Sequence, residues 1–392
     1  MRWVRRLFSA GCLFVVLALS GVAIVLLPSV DSPAGKPPIP ETPDPAWPER
    51  TGSTVVSSGS GSDESEWIAV LSHRPSASGT IETWVQTSSP FANEGFDPYQ
   101  KESYQFPGTT GISISASTKT RHATFFHLSP SRGKARGTLF YLTSIMRLSA
   151  PEADTLKAFR NRGWNTVAIL PSSSLYHHRW PTLEQGSSLT SREANFIAAE
   201  FDRHYAEQAA ATKDVIEHIQ KKLPDWMTGK RILVGGSAGS FTLPAVAAKT
   251  GPWDAAVIIA GGTSLLDAMA QGSLNLLPQL TTSMEKLEQQ IHEKGPRLPS
   301  GTDYRKLLEE ASRLTTLHAG ALAPRLSAET PVLMVSAAYE SILPEYQSTQ
   351  LYQALGRPER WTYRITHGGL FYLLPLQVNK IDRWISANTQ HP

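Results

Sequence analysis

Arg231-Ile232-Leu233-Val234-Gly235-Gly236-Ser237-Ala238-Gly239-Ser240 is the stretch on which the reading of this chain turns. Ile232, Leu233 and Val234 form a short apolar, branched run, which suits a buried strand. Two glycines, a serine, an alanine and a third glycine follow. Ser240 to Lys249 then has the composition of a helix, and Gly251 stands where it can close that helix. The spacing predicts strand, sharp turn, helix, with Ser237 at the apex.

A serine at such an apex sits on a strained backbone and projects its hydroxyl outward. Side chains two positions before or after it would collide with the neighbouring strand and helix, so glycine at 235 and 239 leaves room. The helix that starts behind Ser237 aims free N–H groups and the positive end of its dipole at the hydroxyl. The Ala238 N–H is therefore a candidate oxyanion donor. In this strand-turn-helix context Gly235-Gly236-Ser237-Ala238-Gly239 matches a nucleophile elbow.

On these residues the chain resembles the α/β-hydrolase superfamily. The resemblance implies an α/β fold with a mostly parallel central sheet flanked by helices. It also implies a chain order of serine, acid, histidine, each placed after its own strand. Pro331 to Ser336 (PVLMVS) reads as the strand for the acid, and Glu340-Ser341-Ile342-Leu343-Pro344 follows it. That fits the superfamily's pattern of an acid, two residues, an aliphatic residue and a proline, with glutamate in place of the commoner aspartate; Glu345 is the nearest rival. Arg360 to Thr366 (RWTYRIT) reads as the last strand, and His367-Gly368-Gly369 comes directly after it. The resemblance implies His367 as the base and Glu340 as the group that orients it. A helix from about Tyr372 to Ala387 closes the domain. The superfamily's second oxyanion donor comes from the loop after an earlier strand, here Thr138 to Leu142. Thr143-Ser144 stands there in place of a frequent His-Gly pair, so the candidates are Ser144 and Ile145.

Working outward, Trp67 to Ser72 and Thr80 to Gln86 read as strands, and Ile112 to Ser117 with His122 to Leu128 as a further hairpin. Ser149-Ala150-Pro151-Glu152 reads as a capping box that opens a helix ended by Gly163, and Trp164 to Leu170 as the next strand. The loop from Pro171 to Ser188 carries His177, His178 and Arg179, which are candidates for substrate contact. Thr190 and Glu193 form another capping box, opening one or two helices that run to about Leu223. Residues 263–325 read as a mostly helical, cap-like insertion, with Met284, Leu287 and Ile291 on one helical face.

Residues 1–6 are basic, and Leu7 to Pro28 is an uncharged apolar run. At roughly 20 residues it suits a membrane-spanning signal anchor in residues 1–30, with cleavage as a signal peptide the alternative. Residues 31–65, rich in Pro, Ser and Gly, read as a linker to a hydrolase domain at 66–392. The net charge of +3 is small, and three arginines in the first six residues account for it, so no basic field for nucleic acid exists. The single cysteine, Cys12, lies in the apolar run, which excludes disulfides within the chain and cysteine metal sites. Neither a cofactor nor a metal is expected.

The expected function is that of a membrane-anchored, extracytoplasmic serine esterase acting on a small-molecule or lipid-like acyl substrate. Its orientation would place the catalytic domain on the periplasmic side of a bacterial inner membrane. The alternatives are a peptidase or acyltransferase with the same three residues, or an inactive hydrolase-fold binding protein of the envelope.

Overall fold

The elbow strand lies in the middle of a ten-stranded sheet in the computed structural model. The structure describes residues 27–35, 45–48, 53–57, 66–73, 81–85, 103–105, 112–116, 120–144, 148–172, 191–270, 302–340 and 342–389. The first seven strands are β1 (Ser29–Asp31), β2 (Ser53–Ser57), β3 (Glu66–His73), β4 (Ile81–Val85), β5 (Ser103–Gln105), β6 (Ile112–Ala116) and β7 (Thr120–Ser129). The remaining six are β8 (Gly137–Leu142), β9 (Trp164–Ile169), β10 (Lys230–Gly236), β11 (Ala255–Ile259), β12 (Val332–Tyr339) and β13 (Glu359–Thr366).

The large sheet has the order β1-β13-β12-β11-β10-β8-β9-β7-β3-β2. From β9 to β13 every neighbouring pair is parallel, and the flanking pairs are antiparallel. Parallel strands need covered faces, which is why β8, β9 and β11 are buried along their whole length. The chain winds from β8 to β9 on one side, then returns across β8 to β10 on the other. The reversal opens a crevice at the carboxyl ends of β8 and β10, the place where open α/β sheets hold their sites.

The helices are α1 (Ala150–Arg160), α2 (Ser191–Lys222), α3 (Ala238–Thr250), α4 (Leu265–Ala270), α5 (Thr302–Leu314), α6 (Ala319–Glu329), α7 (Glu345–Ala354) and α8 (His367–Asn388). Leu156 and Phe159 of α1 and Leu370, Leu374, Val378 and Ile381 of α8 bury against one face of the sheet. Val215 and Ile219 of α2, Leu243 and Val246 of α3, Ala323 of α6 and Leu351 of α7 bury against the other. Full burial of an aliphatic side chain contributes about 1.5–3 kcal/mol, so these two layers supply the main stabilisation. At the end of the sheet away from the elbow, buried Asp382 accepts from Trp164 Nε1 at 2.8 Å and from Arg136 at 2.9 Å. It ties α8 to the starts of β8 and β9.

Three expectations change. Residues 31–65 are not linker throughout: β1 pairs with β13 and β2 with β3. The β-branched triplet Thr54-Val55-Val56 suits a strand, and the open sheet edges offer unpaired backbone groups. The segments Ile112–Ala116 and Thr120–Ser129 do not form a hairpin with each other. β6 pairs with β4 and β5 in a separate three-stranded sheet, while β7 lies between β3 and β9. The helical stretch expected after Thr190 is a single helix, Ser191–Lys222, of 32 residues, within the one or two expected. The last helix starts at His367 instead of Tyr372, and the Thr366 side chain caps it by accepting from the Gly369 N–H at 3.3 Å.

Residues 7–26 of the expected anchor, His177, His178, Arg179 and positions 271–301 of the insertion lie outside the described residues. Among the described residues no helix is long and apolar enough to cross a membrane. Of the insertion, α4 and α5 pack together, and α5 lies along α2. Asp202 of α2 accepts from the N–H groups of Thr316 at 2.9 Å and Leu317 at 2.7 Å, which fixes the turn between α5 and α6.

Candidate active site

The elbow has the predicted shape. Ser237 follows β10 and forms the N-cap of α3 with φ 49° and ψ −113°. This left-handed backbone is costly for a residue with a side chain, and it persists because the strand before and the helix after both fix it. The glycines are required by close approach. A Cβ on Gly239 would lie 2.2 Å from the Leu142 carbonyl oxygen, and one on Gly235 would lie 2.7 Å from the Gly239 oxygen. A Cβ on Gly236 would meet the Tyr141 hydroxyl at 2.8 Å.

Three sequence-selected side chains come together at the carboxyl ends of β10, β12 and β13. His367 Nε2 is 3.0 Å from Ser237 Oγ. His367 Nδ1 is 2.8 Å and 2.9 Å from the two carboxylate oxygens of Glu340. An ionised carboxylate only accepts, so Nδ1 carries the proton and the Nε2 lone pair faces the serine hydroxyl. Glu340 is itself held in place, because its Oε1 accepts from the Ile342 N–H at 2.9 Å and the Leu343 N–H at 3.2 Å. Burial works against the charge on Glu340. The hydrogen bond from His367, the charge of that ring and the two backbone donors outweigh it and hold the carboxyl below its ordinary range. Glu345, the rival acid, is the exposed first residue of α7.

The oxyanion side is only partly as expected. Ala238 is the first residue of α3, so its N–H has no carbonyl of its own helix to meet. The Ser144 N–H, by contrast, is committed. It donates to Glu152 Oε1 at 2.8 Å, while Ser144 Oγ donates to Oε2 at 3.1 Å. Glu152 also accepts from the N–H of Ser149 at 2.9 Å and its Oγ at 2.7 Å. The capping box is therefore formed, and its glutamate also clasps both ends of the loop after β8. Thr143 donates its N–H to Ile169 at 2.9 Å, and Ile145 lies outside the described residues. The sequence shows Glu152 as a cap; nothing in its spacing signals the reach back to Ser144, which depends on how α1 docks on the sheet.

Beside Ala238 a narrow crevice of about 10 Å³ is lined by Leu142, Ile169, Phe241, Leu265, His204 and Gln208. A wider groove of about 240 Å³ is lined by Glu340, Tyr339, Ser336 and Arg360. Among the described residues no group of three or more His, Cys, Asp or Glu side chains is placed to hold a metal ion.

No family model matches the chain, and no curated protein does. Solved structures do. An esterase of Pyrococcus furiosus is 10% identical over 69% of this chain and 89% of its own, with a TM-score of 0.42. A siderophore hydrolase, EstB, from Aspergillus fumigatus is 15% identical over 68% and 95%, with a TM-score of 0.41. Acetyl xylan esterase 1 from a Thermoanaerobacterium species is 13% identical over 83% and 87%, with a TM-score of 0.44. The strand order with its reversal at β8, the strained Ser237 turn after β10, and the order Ser237, Glu340, His367 along the chain are together those of an α/β-hydrolase fold.

Proposed function

We propose that the protein is a serine hydrolase that cleaves carboxylic esters through an acyl-enzyme on Ser237. The observation that carries this is the continuous path from Ser237 Oγ to His367 Nε2 at 3.0 Å and from His367 Nδ1 to Glu340 at 2.8 Å. In this reading Oγ attacks the ester carbonyl while Nε2 takes its proton. The ring then returns that proton to the leaving alcohol, and a water, deprotonated by the same nitrogen, releases the acid. Glu340 keeps the proton on Nδ1 and stabilises the cationic ring. The Ala238 N–H stabilises the oxyanion. The chemistry calls for no cofactor. The apolar run at residues 7–28 anchors the chain, with the catalytic domain on the extracytoplasmic side.

Labelling of the full chain with a fluorophosphonate probe tests the reading, because such a probe reacts with an activated serine. Labelling is expected in the wild type and lost in Ser237→Ala and His367→Ala. Equal labelling of the wild type and Ser237→Ala, or a folded wild type that takes no label, overturns it.

A further inference from the structure

Among the described residues, the exposed large hydrophobic side chains other than Val30, which sits mid-strand in β1 opposite Trp361, lie on elements that begin or end near the carboxyl edge of the sheet. Tyr339, 61% exposed, ends β12 and pairs with Thr366, the residue before His367. Tyr346 lies in the first turn of α7, just past the Glu340 loop. Tyr372 and Leu376 are 76% and 69% exposed, and they lie one turn apart on α8, which starts at His367. Phe196 is in the second turn of α2, the helix that leaves the carboxyl end of β9 and runs back to the start of β10. The opposite end, formed by residues 130–136 and 224–229, carries no exposed large hydrophobic side chain. Scattered exposed apolar residues need no explanation, but a segregated set marks an interaction face.

The path of the N-terminus points to what covers it. β1 runs antiparallel to β13, with Asp31 opposite Arg360 and Ser29 opposite Thr362. Traced backward from Asp31, the chain moves toward Thr366 and the site, and Leu27, 70% exposed, lies furthest along. The uncharged apolar run of residues 7–28 therefore joins the sheet at the catalytic end. It joins without slack, because Ser29 is already in β1 and an extended residue spans at most about 3.5 Å. The Pro- and Ser/Gly-rich stretch comes after β1, so it cannot hold the domain away from whatever residues 7–28 enter.

We propose that this face rests on a lipid bilayer, with the site mouth turned toward the membrane, and that the ester substrate is an amphiphile taken from the lipid surface. The proposal rests on the reading of residues 7–28 as an anchor. Three of the exposed residues are tyrosines, whose apolar ring and polar hydroxyl suit the headgroup boundary. Leu27, Leu376 and Phe196 add apolar contact of the kind that seats surface-bound proteins.

The test uses the full chain reconstituted in phosphatidylcholine–phosphatidylglycerol vesicles, in a Cys12→Ser background. A fluorophore is placed through Tyr372→Cys or, at the opposite end, Lys134→Cys, and doxyl-labelled phospholipid serves as quencher. Quenching at 372 is expected to exceed that at 134 by about threefold or more. Equal quenching at both positions overturns the proposal, as does 372–372 disulfide formation without quenching, which would assign the face to a second copy. The triple variant Tyr346→Ser/Tyr372→Ser/Leu376→Ser addresses the substrate. It should hydrolyse a soluble short-chain ester within about twofold of the wild type and lose about tenfold on a long-chain ester lipid in the vesicle. Equal loss on both esters overturns that half. Quenching needs no catalysis, so failure of the hydrolase reading, seen as absent probe labelling, is distinguishable from failure of docking.

Discussion

Glu340 and Glu152 are two carboxylates in similar settings with opposite electrostatics. Each follows a strand of the parallel sheet, and each accepts two backbone N–H groups of the loop around it. Glu340 also meets an imidazole, and its carboxyl is held below the ordinary range. Glu152 is fully buried, and it accepts from the hydroxyls of Ser144 and Ser149 as well as from N–H groups. Burial lifts its carboxyl, and four hydrogen bonds from serines only partly offset that rise. Backbone and hydroxyl donors can hold a carboxylate in place. A partner able to take positive charge is what keeps one ionised at low cost in a partly buried site. On this basis Glu340 is the carboxylate placed to serve the proposed chemistry, and Glu152 ties together the loop beside it.

The largest expected effect separates the two by activity. Glu340→Gln should lower kcat on a soluble ester by about 10⁴-fold with little change in KM, because the amide cannot hold His367 in the productive tautomer. Glu152→Gln, measured in the same assay, should stay within about tenfold of the wild type, since an amide oxygen still accepts from the loop. Equal losses would erase the distinction. The next effect is on stability. Glu152→Ala strands the N–H groups of Ser144 and Ser149 and should cost about 3 kcal/mol in urea unfolding. An unchanged midpoint would mean that the clasp carries no load.

The smallest effect is a pair of opposite pH slopes in thermal unfolding. Glu340 has a lowered folded-state pKa, so the stability it contributes is present above the ordinary carboxylate range and lost as pH falls through the lowered value. Glu152 has a raised one, so its contribution is greatest below the ordinary range and declines as pH rises toward the raised value. Glu340→Gln should flatten the acidic slope, and Glu152→Gln the slope on the other side. Removal of the same slope by both variants would contradict the assignment.

Local pattern made the elbow legible, because it depends on what adjacent residues can tolerate. Gly235, Gly239 and the apolar run before Ser237 can be read without knowing any contact. The order of serine, glutamate and histidine came from the resemblance, and the parallel sheet brings the carboxyl ends of their strands to one edge. Tertiary structure decided what depends on distant partners. Thr54-Val55-Val56 became a strand because β3 offered an open edge, and Ser29–Asp31 because β13 did. The Ser144 N–H was withdrawn from the oxyanion candidates because α1 docks Glu152 beneath it. The direction in which the apolar N-terminus leaves the fold was set by the antiparallel pairing of β1. Sequence by itself determined the elbow at Ser237, because strain and close approach there are nearest-neighbour matters, while Glu340 and His367 came from the resemblance. Only the folded chain decided which donors remain free and which end of the molecule the N-terminus leaves, because both depend on partners that lie far apart along the chain.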